Sequence, residues 1–392
     1  MKKEYLNEGL GIKPDIIKKI KEETLSGIDY SVGVNDEMIY EKIEGHISEF
    51  ARQRYLSVND RLLLKEKVFS EIRGFGKLDS LLSRPEITEI MINGYKDIFV
   101  EEAGHLYKTD YSFDSPEELD DLVQRMVSEA NKVVSEAEPI ADSRLKDGSR
   151  VNIVLPPVAI NGPIITIRKF SNKSYSLDNL VQMRALTQEV AIELRKMVNE
   201  RKNIFISGGT GSGKTTFLNA LSGEIPKDER IITIEDSAEL KLIDVPNLVR
   251  LEARSRFTDN VKEVSIRDLI KTSLRARPDR IVVGEVRGVE AIDMISAMNT
   301  GHSGSLSTGH ANSAQDMLSR LETMILLGTE IPLLAVRKQI SSALDVIVHL
   351  GRVKDGKRRV LEVTLVGSVK NNEIKLNPLF MYDEKTDELV RV

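Results

Sequence analysis

The chain has 392 residues, enough for two or three folded units, and its 41% hydrophobic and 30% charged residues are typical of a globular protein, not a disordered or fibrous one. The formal net charge of -5 gives no global positive field that would draw the protein onto nucleic acid or anionic lipid. Because cysteine is absent, disulfide scaffolds, thiolate zinc sites and cysteine nucleophiles are excluded.

The sequence predicts neither an export signal nor a membrane-spanning helix. Glu4 and Glu8 interrupt the stretch after Met1-Lys2-Lys3 that a signal peptide would need to be apolar. The longest uncharged segment, 151–167, contains three prolines and would not form a membrane helix. We therefore expect a cytoplasmic protein with peripheral membrane contact.

Residues 1–77 are predicted to form charged helices. Segments 15–24 and 39–73 carry dense Lys and Glu, with apolar residues such as Leu62, Leu63, Val68 and Ile72 at helical spacing. A solvated helical bundle is the favoured interpretation, and a partner-binding arm is the alternative. The pattern ends at Gly74-Phe75-Gly76.

Residues 78–170 alternate between strand and helix patterns and are predicted to form a separate α/β domain. Segments 87–92 and 98–101 are strands joined by the turn Asn93-Gly94, and 150–155 and 164–169 are two further strands. Between these pairs, Ser115, Pro116 and Glu118 form the start of a helix. Its predicted apolar face comprises Leu119, Leu122, Val123, Met126, Val127 and Ala130.

The polar, aperiodic stretch 171–186 is predicted to be a linker, followed by a second α/β domain over 187–392. That domain is predicted to begin with a helix over 188–200, capped by Thr187, and a strand over 204–206.

A phosphate-binding loop follows that strand. Residues 208–215 match GxxxxGK[ST] and precede a predicted helix over 216–221. Glycines let backbone N–H groups surround phosphate oxygens, Lys214 neutralises the β- and γ-phosphates, and the Thr215 hydroxyl can bind Mg²⁺. The sequence therefore predicts ATP and Mg²⁺ as cofactors. The predicted binding residues are Gly208, Gly209, Thr210, Gly211, Ser212, Gly213, Lys214, Thr215 and Thr216.

Two acids each end an apolar strand pattern downstream of the loop. Glu285 follows the segment 280–284, and Glu235 ends 231–235. Parallel sheets place their ligands at the carboxyl ends of strands, so both acids are candidates for binding Mg²⁺ or activating water. The sequence does not distinguish which one is the base.

Two histidines, His302 and His310, lie in a run rich in Gly, Ser and Thr. Their spacing does not suit one helix face, so a structural zinc site is not expected. Beside an ATP site, an imidazole can hydrogen-bond the γ-phosphate or sense its loss, and both histidines are therefore candidates for nucleotide binding.

These motifs together resemble the CpaF family, the secretion-superfamily ATPases that power assembly of Tad (Flp-type) pili. The similarity extends from about Gly74 to the C-terminus. It rests on these segments: 142–152, 166–170, 208–216, 233–236, 277–280, 284–288, 298–302 and 310–312.

The resemblance implies a homo-hexameric ring of two-domain subunits with a RecA-like P-loop C-terminal domain and ATP between the domains. It implies catalytic roles for Lys214, Glu235, Glu285, His310 and Arg168, and phosphate contacts from Arg144, Arg150 and Arg168 of the first domain. Arg275, Arg277 and Arg287 are further cations whose roles the sequence does not separate. The implied partner is a platform protein at the inner face of the cytoplasmic membrane, and no nucleic acid is expected.

The chain departs from the family pattern at two places. Asn131-Lys132-Val133 stands where the family has a Gly-Arg-Arg run, and Gly309 replaces the apolar residue expected before the second histidine. The glycine predicts a more flexible loop there.

Three other functions fit parts of the pattern. A P-loop kinase would use the same loop to phosphorylate a metabolite, a DNA-export or DNA-translocating ATPase would belong to the same superfamily, and a nucleotide-gated scaffold would bind ATP without cleaving it. Product analysis separates them, because they predict a phosphorylated acceptor, DNA-stimulated turnover and no phosphate release, respectively.

Overall fold

The computed structural model describes residues 14–28, 35–53, 55–102, 104–129, 133–170, 175–242, 245–254, 262–354 and 356–392. The chain forms two compact units, which meet in sequence between Ser171 and Asn172. Among the described residues, no helix combines the length and the apolar character needed to cross a bilayer.

The first unit begins with three helices around a small apolar core. The predicted pattern over 39–73 is divided between two of them, because Ser57 caps a new helix and forms a capping box with Asp60. Ile20, Ile43 and Leu64, one from each helix, are buried in the shared core. The helices are α1 (Pro14–Ser26), α2 (Asp36–Gln53) and α3 (Val58–Arg73).

The rest of the first unit is a six-stranded antiparallel sheet with a helix packed into its core. The predicted strands and helix are confirmed, and two strands that the sequence analysis missed, β3 and β4, lie at the sheet edges. The elements are α4 (Lys77–Leu82), β1 (Ile87–Asn93), β2 (Ile98–Glu102), β3 (His105–Lys108), α5 (Pro116–Glu129), β4 (Ile140–Arg144), β5 (Arg150–Val154) and β6 (Ile164–Arg168). The strand order is β3-β2-β1-β6-β5-β4. The predicted core residue Ala130, and Asn131 and Lys132 of the family departure, lie outside the described residues.

The predicted linker over 171–186 needs a correction. Residues 177–182 form a helix, α6 (Leu177–Gln182), with a capping box between Ser176 and Asn179. Leu177 and Leu180 are buried in a core of the second unit. The segment looked aperiodic because so short a helix buries only these two apolar residues.

The second unit is built on a nine-stranded sheet, of which six strands are parallel. The order is β15-β14-β13-β12-β7-β11-β10-β8-β9, with β12 through β9 parallel and β13–β15 added as antiparallel strands. The strands are β7 (Ile204–Gly208), β8 (Ile231–Glu235), β9 (Leu248–Glu252), β10 (Arg280–Val283), β11 (Leu306–Gly309), β12 (Val346–Arg352), β13 (Arg358–Lys370), β14 (Glu373–Asp383) and β15 (Glu388–Arg391).

Helices cover both faces of this sheet. Successive residues of β7 point into different cores, with Ile204 and Ile206 in one and Phe205 in the other, as expected for a strand buried on both sides. Helices α6–α8 contribute to the first core and α9–α12 to the second. The remaining helices are α7 (Gln188–Asn199), α8 (Lys214–Ser222), α9 (Ile266–Ser273), α10 (Ala291–Asn299), α11 (Ala314–Gly328) and α12 (Leu333–Ala343).

The amino ends of the parallel strands are held by a buried ion pair. Arg280 is fully buried and donates both Nε and Nη2 to the Glu229 carboxylate at 2.8 Å, and its Nη1 donates to the carbonyl of Val198 at 2.7 Å. Arg280 therefore has a structural role at the amino end of the parallel strands. The carboxyl ends of β7, β8, β10 and β11 lie together at the opposite end of the sheet.

Candidate functional site

The phosphate loop connects the end of β7 to the start of α8, as the sequence predicts. Gly213 has φ +95°, a left-handed conformation that favours glycine, and helix α8 begins at the next residue. A Cβ on Gly208 would lie 2.5 Å from the carbonyl oxygen of Leu350, so only glycine fits there. The loop thus has the cradle that a phosphate group needs at a helix N-terminus.

Lys214 points back over this loop. It is 8% exposed, and its Nζ donates to the carbonyl oxygens of Gly208 at 3.1 Å and Gly209 at 3.0 Å. The same Nζ lies 3.3 Å from Nδ1 of His310, which directly follows β11, the strand beside β7. The predicted lysine and one predicted histidine are therefore neighbours.

His310 connects this lysine to Glu285. Its Nε2 lies 2.9 Å from Oε1 of Glu285. Burial lowers the pKa of His310, which outweighs the opposing effect of the Glu285 charge. A neutral imidazole suits this position, because Nδ1 can then accept from Lys214 while Nε2–H faces Glu285, whose Oε1 makes no hydrogen bond of normal geometry within the described residues.

Glu285 is held from its other side by Arg287. Oε2 of Glu285 accepts from Nη2 of Arg287 at 2.7 Å, and Nη1 of Arg287 lies 4.0 Å from Asp236. Burial raises the pKa of Glu285, but the hydrogen bond and charge of Arg287, with the charges of His310 and Lys214, outweigh it, so the pKa lies below the usual value. Glu285 is therefore ionised at neutral pH.

Glu235 has a different environment. It is 3% exposed, and its Oε2 accepts from the backbone N–H groups of Glu239 at 2.6 Å and Leu240 at 2.7 Å. Its Oε1 is buried and has no hydrogen-bond partner among the described residues. Burial raises the pKa of Glu235 despite these two backbone hydrogen bonds. The carboxylate organises the loop after β8, next to Gly284 of the neighbouring chain segment.

The other three predicted arginines lie at different ends of β10. Arg275 and Arg277 precede β10 and so lie toward the amino ends of the sheet, whereas Arg287 follows the strand and meets Glu285. Thr215 and Thr216 occupy the first turn of α8 and are half-buried.

His302 does not join this group. It precedes β11, whereas His310 follows it, and the carbonyl of His302 accepts from the Ser305 hydroxyl at 2.7 Å. Ser305 and Gly304 donate their N–H groups to Asn203, at the amino end of β7. A four-residue strand, about 13 Å long, therefore separates His302 from the phosphate loop, so the structure does not bring the two predicted histidines together.

The three predicted arginines of the first unit form one cross-strand row. Arg144 pairs with Arg150 across β4 and β5, and Arg150 pairs with Arg168 across β5 and β6. Arg168 Nε lies 4.0 Å from the carboxylate of Glu89 on β1. Guanidinium groups bind phosphate oxygens bidentately, so this row is a candidate surface for an anion.

A hairpin that was not predicted from the sequence lies beside the phosphate loop. Strands β12 and β13 carry Arg352 and Arg358, and Nη2 of Arg352 donates to the Gly211 carbonyl at 3.3 Å. The sequence signal was present in the run GRVKDGKRR at 351–359, in which Asp-Gly separates two basic groups.

The expectation of a flexible loop at Gly309 is wrong. Gly309 is the last residue of β11 and is buried. A Cβ at this position would lie 2.9 Å from Cε1 of Phe205 and 3.0 Å from Cε of Met317. The glycine is explained by close packing of these two side chains on the strand.

We expect Gly309→Leu to lower the free energy of unfolding by about 1–3 kcal/mol, because the added side chain overpacks the core. Denaturant unfolding of the variant and the native protein measures this loss. The loss should be smaller in a Met317→Ala background, where the neighbouring side chain is removed. An unchanged free energy of unfolding for Gly309→Leu would contradict the packing explanation.

Comparisons with known proteins agree on one family. A family model described as type II/IV secretion system protein matches residues 71–378. A putative conjugal transfer protein of Mycobacterium tuberculosis is 34% identical, over 76% of this chain and 86% of that protein. The type IV secretion system protein PtlH of Bordetella pertussis is 32% identical, over 72% of this chain and 91% of that protein.

A solved structure supports the fold class. The pilus retraction motor PilT, determined with bound ADP, superimposes with a TM-score of 0.54 at 22% identity, covering 75% of this chain and 83% of that chain. The predicted α/β fold with a RecA-like P-loop domain is thereby confirmed.

Proposed function

Because this chain belongs to the family of type II/IV secretion system proteins, we propose that it is a Mg²⁺-dependent ATPase that powers pilus assembly or secretion. One observation carries the proposal. A continuous chain of contacts joins the phosphate-loop lysine to His310, Glu285 and Arg287 at the carboxyl ends of the parallel strands, where the loop lies.

Nucleotide binding is assigned to the loop and the first turn of α8. The backbone N–H groups of residues 209–215 and the Lys214 ammonium bind the β- and γ-phosphates. Lys214 then exchanges its carbonyl partners, Gly208 and Gly209, for phosphate oxygens. Mg²⁺, when bound, offsets the negative charge of the phosphates, and Thr215 beside Lys214 supplies a hydroxyl for it.

Hydrolysis is assigned to Glu285. Water attacks the γ-phosphorus as the bond to the ADP oxygen breaks, and the proton of the water passes to the carboxylate. Since the pKa of Glu285 is lowered, it is a weak base, and orienting the water is its larger contribution. Both oxygens already contact His310 or Arg287, so we assign its contact with Mg²⁺ to an intervening water.

Glu235 is assigned a supporting role. Its carboxylate holds the backbone of Glu239 and Leu240, next to Asp236, which lies beside Arg287. We propose that it keeps the acidic segment after β8 in place, and its second oxygen, which has no hydrogen-bond partner among the described residues, would be available to Mg²⁺.

Coupling to movement is assigned to the arginine row of the first unit. Arg144, Arg150 and Arg168 would contact the phosphates of ATP and draw the two units together, and cleavage would remove part of that attraction. Repeated around a homo-hexameric ring, this cycle would move a membrane platform protein. We propose a Tad-type pilus as the machine and a peripheral position at the cytoplasmic face of the membrane.

A DNA-translocating ATPase is the second candidate, because the M. tuberculosis relative is described as a putative conjugal transfer protein. The net charge of -5 gives no general attraction to DNA. Family membership speaks against a metabolite kinase, because the match extends over residues 71–378 and not over the phosphate loop alone.

The test combines phosphate release with the mass of the assembly in solution. We expect phosphate release from ATP that DNA does not stimulate, and a six-subunit mass in the presence of a nonhydrolysable ATP analogue. ADP alone serves as the nucleotide control. DNA-stimulated turnover would favour the translocase, and the absence of phosphate release would leave only a nucleotide-gated scaffold.

A further inference from the structure

Two arginines of the second unit adjoin the phosphate loop without belonging to its motif. Nη2 of Arg352 lies 3.3 Å from the Gly211 carbonyl oxygen, and Cδ of Arg358 lies 3.5 Å from the position of a Cβ on Gly213. Both side chains are exposed. They come from the β12–β13 hairpin, which packs against the loop where Leu350 approaches Gly208.

These arginines face each other across the hairpin. Arg352 and Arg358 are direct Cα partners on adjacent antiparallel strands. Two like charges in this arrangement repel, which costs stability unless an anion lies between them. The pair is therefore unfavourable by itself and favourable around a phosphate group.

Neither arginine has a carboxylate partner within the described ranges. Eight other arginines of the same unit do have one: Arg195, Arg201, Arg267, Arg280, Arg287, Arg337, Arg359 and Arg391. Arg359, next to Arg358 in sequence, is buried and bound to Asp387 at 2.8 Å. The buried arginine of the hairpin is thus neutralised by a carboxylate of the protein. The two exposed arginines at the loop are placed to bind an anion from outside the chain.

The position of the hairpin indicates which part of the nucleotide it meets. β12 and β11 flank β7 on opposite sides. His310 follows β11, and Glu285 follows β10 beyond it, so the reacting γ-phosphate belongs on that side. The arginines lie on the other side of the loop, where the chain of phosphates continues toward the nucleoside.

We propose that Arg352 and Arg358 form a second cationic clamp for the nucleotide, on the phosphates nearer the nucleoside. This inference rests on the proposed function and adds binding residues from the same unit as the loop. A guanidinium keeps its charge and bonds phosphate oxygens bidentately. Because these phosphates remain in ADP, the clamp binds substrate and product alike and contributes to affinity, not to the chemical step.

The experiment compares Arg352→Gln and Arg358→Gln with the control Lys354→Gln. Lys354 lies on the same hairpin, but its Nζ pairs with Glu384 at 2.7 Å. The control therefore removes the same charge from a surface ion pair of small energetic value. Titration with fluorescent ADP gives the affinity, and steady-state phosphate release gives kcat and KM.

We expect each arginine variant to weaken ADP binding and raise KM for ATP by about tenfold, with kcat within about twofold of the native value. The control should stay within about twofold for all three quantities. Arg358→Gln keeps the Arg352 hydrogen bond to Gly211, so its effect cannot come from loss of that bond. Arg352→Lys should recover part of the affinity, because it restores the charge.

Native affinity in both arginine variants would overturn the clamp, and so would an equal loss in the lysine control. A fall in kcat at unchanged KM would instead make the arginines part of the chemistry and would also overturn it. These outcomes differ from failure of the proposed function, in which the native protein itself would bind or cleave no ATP.

Discussion

Replacing Lys214 with alanine is expected to reduce ATP hydrolysis by at least about a hundredfold while the protein stays folded. In the proposed function, Lys214 is the cation for the β- and γ-phosphates, and its Nζ already lies over the loop, where it donates to the carbonyl oxygens of Gly208 and Gly209. Phosphate release measures the activity, and thermal unfolding followed by circular dichroism measures the fold.

Lys196→Ala is the matched control for this variant. Lys196 lies on the exposed face of α7, where it forms a surface ion pair with Glu200 at 3.9 Å. Its removal should leave turnover unchanged. Normal turnover in Lys214→Ala would refute the assignment of the nucleotide site, whereas loss of turnover in both lysine variants would point to a general effect of charge.

Glu285→Gln is expected to retain ATP binding and to lose hydrolysis by about 10²–10⁴-fold. The amide has the shape of the carboxylate but accepts no proton, and its NH₂ group must face either Arg287, which donates to the native side chain, or His310, whose Nε2 lies 2.9 Å from it. Binding of a labelled nonhydrolysable analogue and phosphate release under single-turnover conditions separate the two effects.

Two comparisons make this result specific. Glu200→Gln removes an exposed acid from the end of α7 and should change neither quantity. Glu235→Gln tests the other strand-end acid, and we expect a smaller loss, because its Oε2 already accepts two backbone hydrogen bonds. If Glu285→Gln releases phosphate at the native rate and Glu235→Gln does not, the role of water activation belongs to Glu235.

The structure also changes how the two histidines are understood. They belong to one glycine- and serine-rich run, in which no local pattern separates them. A short strand lies between them, so His310 lies at the phosphate loop and His302 lies at the amino end of the parallel strands. Sequence proximity is a poor guide here, because a strand carries the chain from the amino end of the parallel sheet to its carboxyl end.

The nucleotide cradle could be recognised from sequence because its determinants are local. Glycines at 208–213, Lys214 and the flanking strand and helix lie within about twenty consecutive residues, and backbone geometry alone fixes their arrangement. The strand-end acids were predictable for a related reason, since apolar strands buried on both faces are visible as continuous apolar runs.

Contacts between distant segments were decided only by the tertiary structure. Three features depend on the strand order β12-β7-β11-β10. They are the close packing on Gly309, the position of the basic β12–β13 hairpin, and the contacts that join Lys214, His310, Glu285 and Arg287. Strand order is set by packing over the whole unit, which no local pattern encodes. The sequence by itself therefore determined the chemistry available to this protein, and the fold determined which groups meet to perform it.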